Sequence, residues 1–132
     1  MAHDIEIILS RQLADSLSVP VFIVDTDGTL LFYNEPAEYI LGKRFVDTGA
    51  MPVAEWSTLF QPFDDDGNRL LPKELPLVKT LYRKEPAHGS FWIKSLNGSS
   101  HKISVTSFPI IGRAKKFSGA VAIFWTDQKA KE

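Results

Sequence analysis

Two aspartates two residues apart, Asp25 and Asp27, follow the apolar run Phe22-Ile23-Val24 and precede Gly28-Thr29-Leu30. At the end of a strand, this spacing suits phosphoryl transfer. A carboxylate placed there can serve as nucleophile or as general acid, with Mg²⁺ held nearby. The competing reading is an acidic β-turn, since short acidic side chains and a glycine are what a tight turn requires. A second acidic run, Asp64-Asp65-Asp66-Gly67-Asn68, resembles a calcium loop only superficially. With Gly67 at the sixth position, Pro62 falls at the first and Lys73 at the twelfth, where a Glu is required. His3, His88 and His101 are scattered over a tail, a turn and a strand start, so no metal site is expected. The chain has no cysteine, which excludes disulfides, thiolate metal sites, iron–sulfur clusters and a cysteinyl nucleophile or adduct.

The elements that would position these residues fit one domain. The 132 residues are 44% apolar and 11% aromatic, enough for one compact core. Fifteen basic and 16 acidic side chains leave a formal charge of −1, so no overall field draws the chain to nucleic acid or an anionic membrane. No run approaches the roughly 20 apolar residues of a membrane span, and the N-terminus does not read as an export signal. A cytoplasmic location is the expectation.

Ile5, Ile8, Leu9, Leu13 and Leu17 recur at spacings of three and four, which predicts an amphipathic helix from Asp4 to Leu17. Val19 to Val24 and Leu30 to Tyr33 read as strands of a hairpin around Asp25 to Gly28. Asn34 then caps a helix beginning near Pro36 and stopped by Gly42. Lys43 to Leu71 is irregular, with one short helical turn near Ala54 to Phe60. A helix follows over Lys73 to Lys84, with Leu75, Val78, Leu81 and Tyr82 on one face. The last third predicts a three-stranded meander, Ser90 to Ser95, His101 to Ile111 and Ser118 to Thr126. The fold class is therefore α+β, a five-stranded antiparallel sheet with helices on one face and an N-terminal amphipathic helix.

This order resembles the PAS family of sensory domains from Leu13 to Asp127. The opening of that family is matched by Val21 to Val24, Asp25, Asp27-Gly28, Leu30 to Tyr33, Asn34, Ala37 and Gly42. Gly67 to Pro72 with the helix Glu74 to Lys84, the turn Asn97-Gly98, and Pro109 match further points. Residues 1–18 would be a capping or dimerisation helix, 19–128 the domain and 129–132 a tail. Many linked members end the last strand in Asp-x-Thr, a signal junction; here Asp127 is present and the Thr is not. The resemblance implies a regulatory, non-catalytic module of a signalling protein, such as a two-component system. In it, ligand occupancy or partner docking would shift the terminal helices.

A rival resemblance is to haloacid-dehalogenase-like Mg²⁺-dependent phosphatases, on Asp25-Thr26-Asp27-Gly28-Thr29. That family needs a parallel sheet, a Lys and a further acidic pair after a buried strand, which the meander and the Gln61-Pro62-Phe63 context of Asp64 do not offer. Within the PAS family, haem-binding relatives carry an axial His on the helix matching Glu74 to Lys84, and blue-light-sensing relatives carry a flavin-reactive Cys. This chain has neither, so haem and cysteinyl-flavin chemistry are disfavoured and the cofactor is left open.

Alternation and the resemblance together point Phe22, Val24, Phe32, Val78, Leu81, Phe91, Ile93, Ile103, Val105, Ser107, Ile123 and Trp125 into a pocket for an apolar molecule with a polar head. The alternative is that they fill a solid core and the module only dimerises. Ser107 or a ligand carbonyl would partner the Trp125 indole. Trp92, Ala122 and Phe124 are expected on the other sheet face, covered by Ile5, Ile8, Leu9 and Leu13 of the first helix, from the same chain or a second subunit. Relatives commonly dimerise this way, so a homodimer and a downstream effector domain or protein are the expected partners.

Overall fold

A computed structural model describes residues 5–126 of the protein. The expectations for Asp127 and the 129–132 tail fall outside these residues. Five strands form one antiparallel sheet: β1 Val21–Val24, β2 Leu30–Tyr33, β3 Ala87–Lys94, β4 Ser100–Ile111 and β5 Phe117–Thr126, in the order β2-β1-β5-β4-β3. Among the described residues, five α-helices accompany it: α1 Ile5–Ser16, α2 Glu35–Leu41, α3 Phe45–Thr48, α4 Val53–Leu59 and α5 Pro76–Arg83. The predicted fold class, the hairpin and the meander are all present.

The hairpin turn is built by Asp25. Its Oδ1 accepts from the backbone N–H of Asp27 at 2.9 Å and of Thr29 at 3.0 Å, and Gly28 takes φ 86°. One oxygen of the Asp25 carboxylate thus builds an Asx-type turn, the conformation of the acidic-turn reading. The strands flanking it are antiparallel, not the parallel pair of a phosphatase core.

β2 carries an irregularity in which Val24 pairs with Leu30 and Ile23 with Phe32, leaving Leu31 as the extra residue. The bulge reverses the side-chain alternation, so Leu30 and Tyr33 join the core under the helices and Phe32 faces away. The helix predicted over Lys73 to Lys84 is broken at Leu75, which is extended because Pro76 follows it. A 3₁₀ turn, Pro72–Glu74, precedes the break, and α5 buries Leu77, Val78 and Thr80 while Tyr82 is exposed.

Apolar side chains collect on both sides of the sheet. One cluster lies between the sheet and α2, α4 and α5, and includes Phe22, Val24, Leu41, Trp56, Val78, Ile103 and Phe124. The other joins Ile7 and Ala14 of α1 to Val21, Ile23, Phe32, Ile110 and Val121. All four residues of β1 are consequently buried. Asn34 holds the layers together: it caps α2 and, fully enclosed, also bonds the backbone of α1 and β1.

Candidate ligand cavity

The inner sheet face carries Phe22 from β1, Phe91 and Ile93 from β3, Ile103 and Val105 from β4, and Ala122 and Phe124 from β5. Above them stand Leu41 of α2, Trp56 and Ser57 of α4, Phe60 and Pro62 beyond it, and Leu75 to Leu77 at the start of α5. Between the two layers lies an apolar cavity of about 80 Å³. Trp56 is fixed as part of the roof: its indole N–H donates to the Gly28 carbonyl at 2.7 Å, and its ring meets Phe22 edge-on at 5.3 Å.

One side of the cavity is closed by a short backbone pairing. Phe63 exchanges both N–H···O bonds with Trp92, at 2.9 and 2.8 Å, and Lys94 N–H donates to the Phe60 carbonyl at 2.8 Å. The Phe63 and Trp92 rings stack at 6.0 Å. Asp65 fastens this edge, accepting from the Trp92 indole at 2.9 Å and pairing with Lys102 at 3.1 Å. The Trp92 bond, and then Lys102, hold the Asp65 carboxyl below the usual aspartate value of 3.8. A lowered folded pKa means that its contribution is present above the unfolded value and is lost as pH falls through the folded one. The Trp92 indole N–H resonance is therefore expected to titrate with a midpoint below pH 3.8 and to stay flat in Asp65→Asn; a midpoint at or above 3.8 contradicts the pairing.

Several expected inward residues lie elsewhere. Ile123 and Trp125 are on the opposite sheet face, because Ala122 pairs with Ser107 and Phe124 with Val105, and paired residues share a face. Trp125 is 45% exposed beside Ser104, far from a role in the cavity. Phe32 is turned outward by the bulge and lies beneath the Arg11 guanidinium at 4.6 Å. Ser107 is buried but bonded to Thr80 Oγ1 at 2.7 Å. Val24 and Val78 are buried in the same cluster without lining the cavity, and Leu81 packs against it.

The outer-face expectations need the complementary correction. Ala122 and Phe124 line the cavity; Trp92 does lie on the outer face, between the inward Phe91 and Ile93, but Phe63 and Asp65 engage it there, while α1 packs on β1, β4 and β5. Strand β5 reads Ser-Gly-Ala-Val-Ala-Ile-Phe-Trp, apolar on both faces, so alternation alone could not orient it. The small residues Ala120 and Ala122 could have served as the signal, since the inner face lies beneath close-packed helices. Trp56, Ser57, Phe60 and Pro62 were missed because they come from the stretch without periodicity.

A five-stranded antiparallel sheet in the order β2-β1-β5-β4-β3, with helices over one face and a small cavity between the layers, defines the class of fold. A family model described as PAS domain matches residues 9–76. The fold is similar to the PAS domain of a Colwellia psychrerythraea protein, at 17% identity, covering 90% of this chain and 96% of that one with a TM-score of 0.63. It is also similar to the PAS domain of Bordetella pertussis BvgS, at 14% identity, 96% and 90% coverage and a TM-score of 0.70. The Rhodobacter sphaeroides LOV protein gives 12% identity, 98% and 71% coverage and a TM-score of 0.74. No curated protein sequence matches the chain. The chain belongs to the PAS domain family.

Haem and flavin do not fit the residues present. A pocket for a ligand of drug size is ≈ 300–1,000 Å³, several times the 80 Å³ found here. Helix α5, Pro-Leu-Val-Lys-Thr-Leu-Tyr-Arg, offers no histidine. Among the described residues, no helix is long and apolar enough to cross a membrane.

Proposed function

We propose that the chain is a regulatory sensory domain in which a small molecule in the inner cavity alters the seating of α1 and is read out through a homodimer. The carrying observation is the cavity, whose lining residues Phe22, Val105 and Ala122 sit on the same three strands that bear α1 on their other face. Strain passed through those strands reaches α1, and Asn34 ties α1 to the α2 side of the cavity as well, so α1 is placed to respond.

The opposite side of α1 supports the dimer. Ile7 and Ala14 are buried against the sheet, whereas Ile5, Leu9 and Leu13, one turn apart, are 60%, 56% and 62% exposed. With Ile8 beside them they make an apolar ridge that a second α1 would cover. No catalytic role is assigned, since the strands around Asp25 form an antiparallel hairpin, not the parallel sheet that the phosphatase reading requires.

Native mass spectrometry tests both parts together. The expected result is a dimer carrying a small bound molecule, with Leu9→Glu giving a folded monomer. A wild-type monomer overturns the dimer. An empty protein whose fold is indifferent to filling the cavity by Ala122→Leu favours the solid-core interaction module over the sensor.

A further inference from the structure

The cavity contains one polar irregularity. Ser57 of α4 lines it and is 1% exposed, yet its hydroxyl has no hydrogen-bond partner among the described residues. A serine inside a helix commonly bonds the carbonyl four residues back, as Thr58 does with Ala54 at 3.0 Å. Ser57 does not. Leaving a buried hydroxyl unpaired is costly, and the neighbouring Trp56 indole offers no relief because Gly28 occupies it.

Water is a poor partner here. A buried water needs two to four polar contacts, and this lining supplies one such side chain among apolar and aromatic ones. A charged ligand is equally unsuited, since no charged side chain lines the cavity to compensate it. The volume sets the size: 80 Å³ is smaller than the engineered cavity of about 150 Å³ that accepts benzene.

We infer that the cavity ligand is a neutral molecule of a few heavy atoms, an aliphatic body bearing one hydroxyl or carbonyl oxygen that hydrogen-bonds Ser57 Oγ. This rests on the sensor reading above and assigns Ser57 as the residue that selects the polar group.

The test uses ethanol, acetone, propane and acetate, titrated into wild type and Ser57→Ala and followed by amide chemical shifts. Ser57→Ala is expected to weaken ethanol and acetone by about five- to tenfold, to leave propane unchanged, and to raise the Tm of the free protein by removing the unpaired hydroxyl. Acetate should bind neither protein. Ala122→Leu, which fills the cavity from the sheet side, should abolish all binding and so locate it. If no probe binds wild type, the sensor reading itself fails. If the probes bind but Ser57→Ala treats alcohol, ketone and hydrocarbon alike, the cavity stands and the inference about Ser57 falls. A lower Tm in Ser57→Ala also overturns it, because the hydroxyl would then be paired in the free protein.

Discussion

Asn34→Ala is expected to lower unfolding stability by about 3–5 kcal/mol, the largest loss from any single polar substitution considered. The amide makes four contacts in a site 2% exposed. Its Oδ1 accepts from Val21 N–H at 3.0 Å and Ala37 N–H at 3.3 Å, and its Nδ2 donates to the carbonyls of Ala14 and Val19, both at 2.9 Å. Loss of the α2 cap alone costs about 1 kcal/mol. The rest comes from Val21 N–H, a buried group left without its partner at about 1–3 kcal/mol, and from the lost bonds to the Ala14 and Val19 carbonyls at about 1 kcal/mol each. Urea unfolding should show a lower midpoint with an unchanged slope. Asn34→Asp should recover the acceptor contacts but not the donors, and should remain well below wild type because it encloses a carboxylate. A loss under about 1 kcal/mol in Asn34→Ala would mean that the four contacts are not made in solution.

Gly119→Ala should cost about 2–4 kcal/mol for a steric reason. Gly119, the third residue of β5, has φ 148°, and a methyl group there would stand inside contact distance of the Val24 carbonyl oxygen and 3.0 Å from the Ile7 Cδ1 atom. Val24 belongs to β1 and presents a backbone atom, so the β1–β5 pairing must shift, while the Ile7 side chain has to turn aside and loosens the packing of α1. Hydrogen exchange should accelerate in α1 as well as at the strand junction. Gly98→Ala is the control: it has φ 94° with nothing within 4 Å of the added methyl, so only the backbone cost of about 1–2 kcal/mol applies. Equal losses in the two variants would remove the steric argument.

How much of this was legible in the sequence depends on which face of the sheet a residue occupies. The hairpin, the Asn34 cap and the meander were readable because turn chemistry is local: Asp25 and Gly28, Asn34 and Pro36, and Asn97-Gly98 specify their conformations without tertiary help. β4 was also readable, since Ile103, Val105 and Ser107 alternate with polar residues. Phe32 was not, because one extra residue in β2 inverts the pattern and nothing in Leu-Leu-Phe-Tyr marks the bulge. Ile123 and Trp125 were misplaced for a related reason: a central strand apolar on both sides carries no record of its orientation. The cavity roof was hidden in residues 43–71, whose helices are too short for a hydrophobic period to emerge. The break before Pro76 was readable in principle, since the residue preceding proline is steered away from helix. Asn34 was legible as a cap but not as a hub, because its contacts to Ala14 and Val19 arise only when three elements meet.

The doubly buried strands β1 and β5 have one further consequence. They form a diaphragm a single residue thick, with Phe22 and Ala122 facing the cavity and Ile23 and Val121 facing α1. Its outer surface is close-packed against α1, and its inner surface borders the cavity. Volume added on the inner side fills the cavity first, and only the excess bends the layer toward α1. The two halves of the core are therefore coupled once the cavity is full, and a redesign of one has to be matched in the other beyond that point.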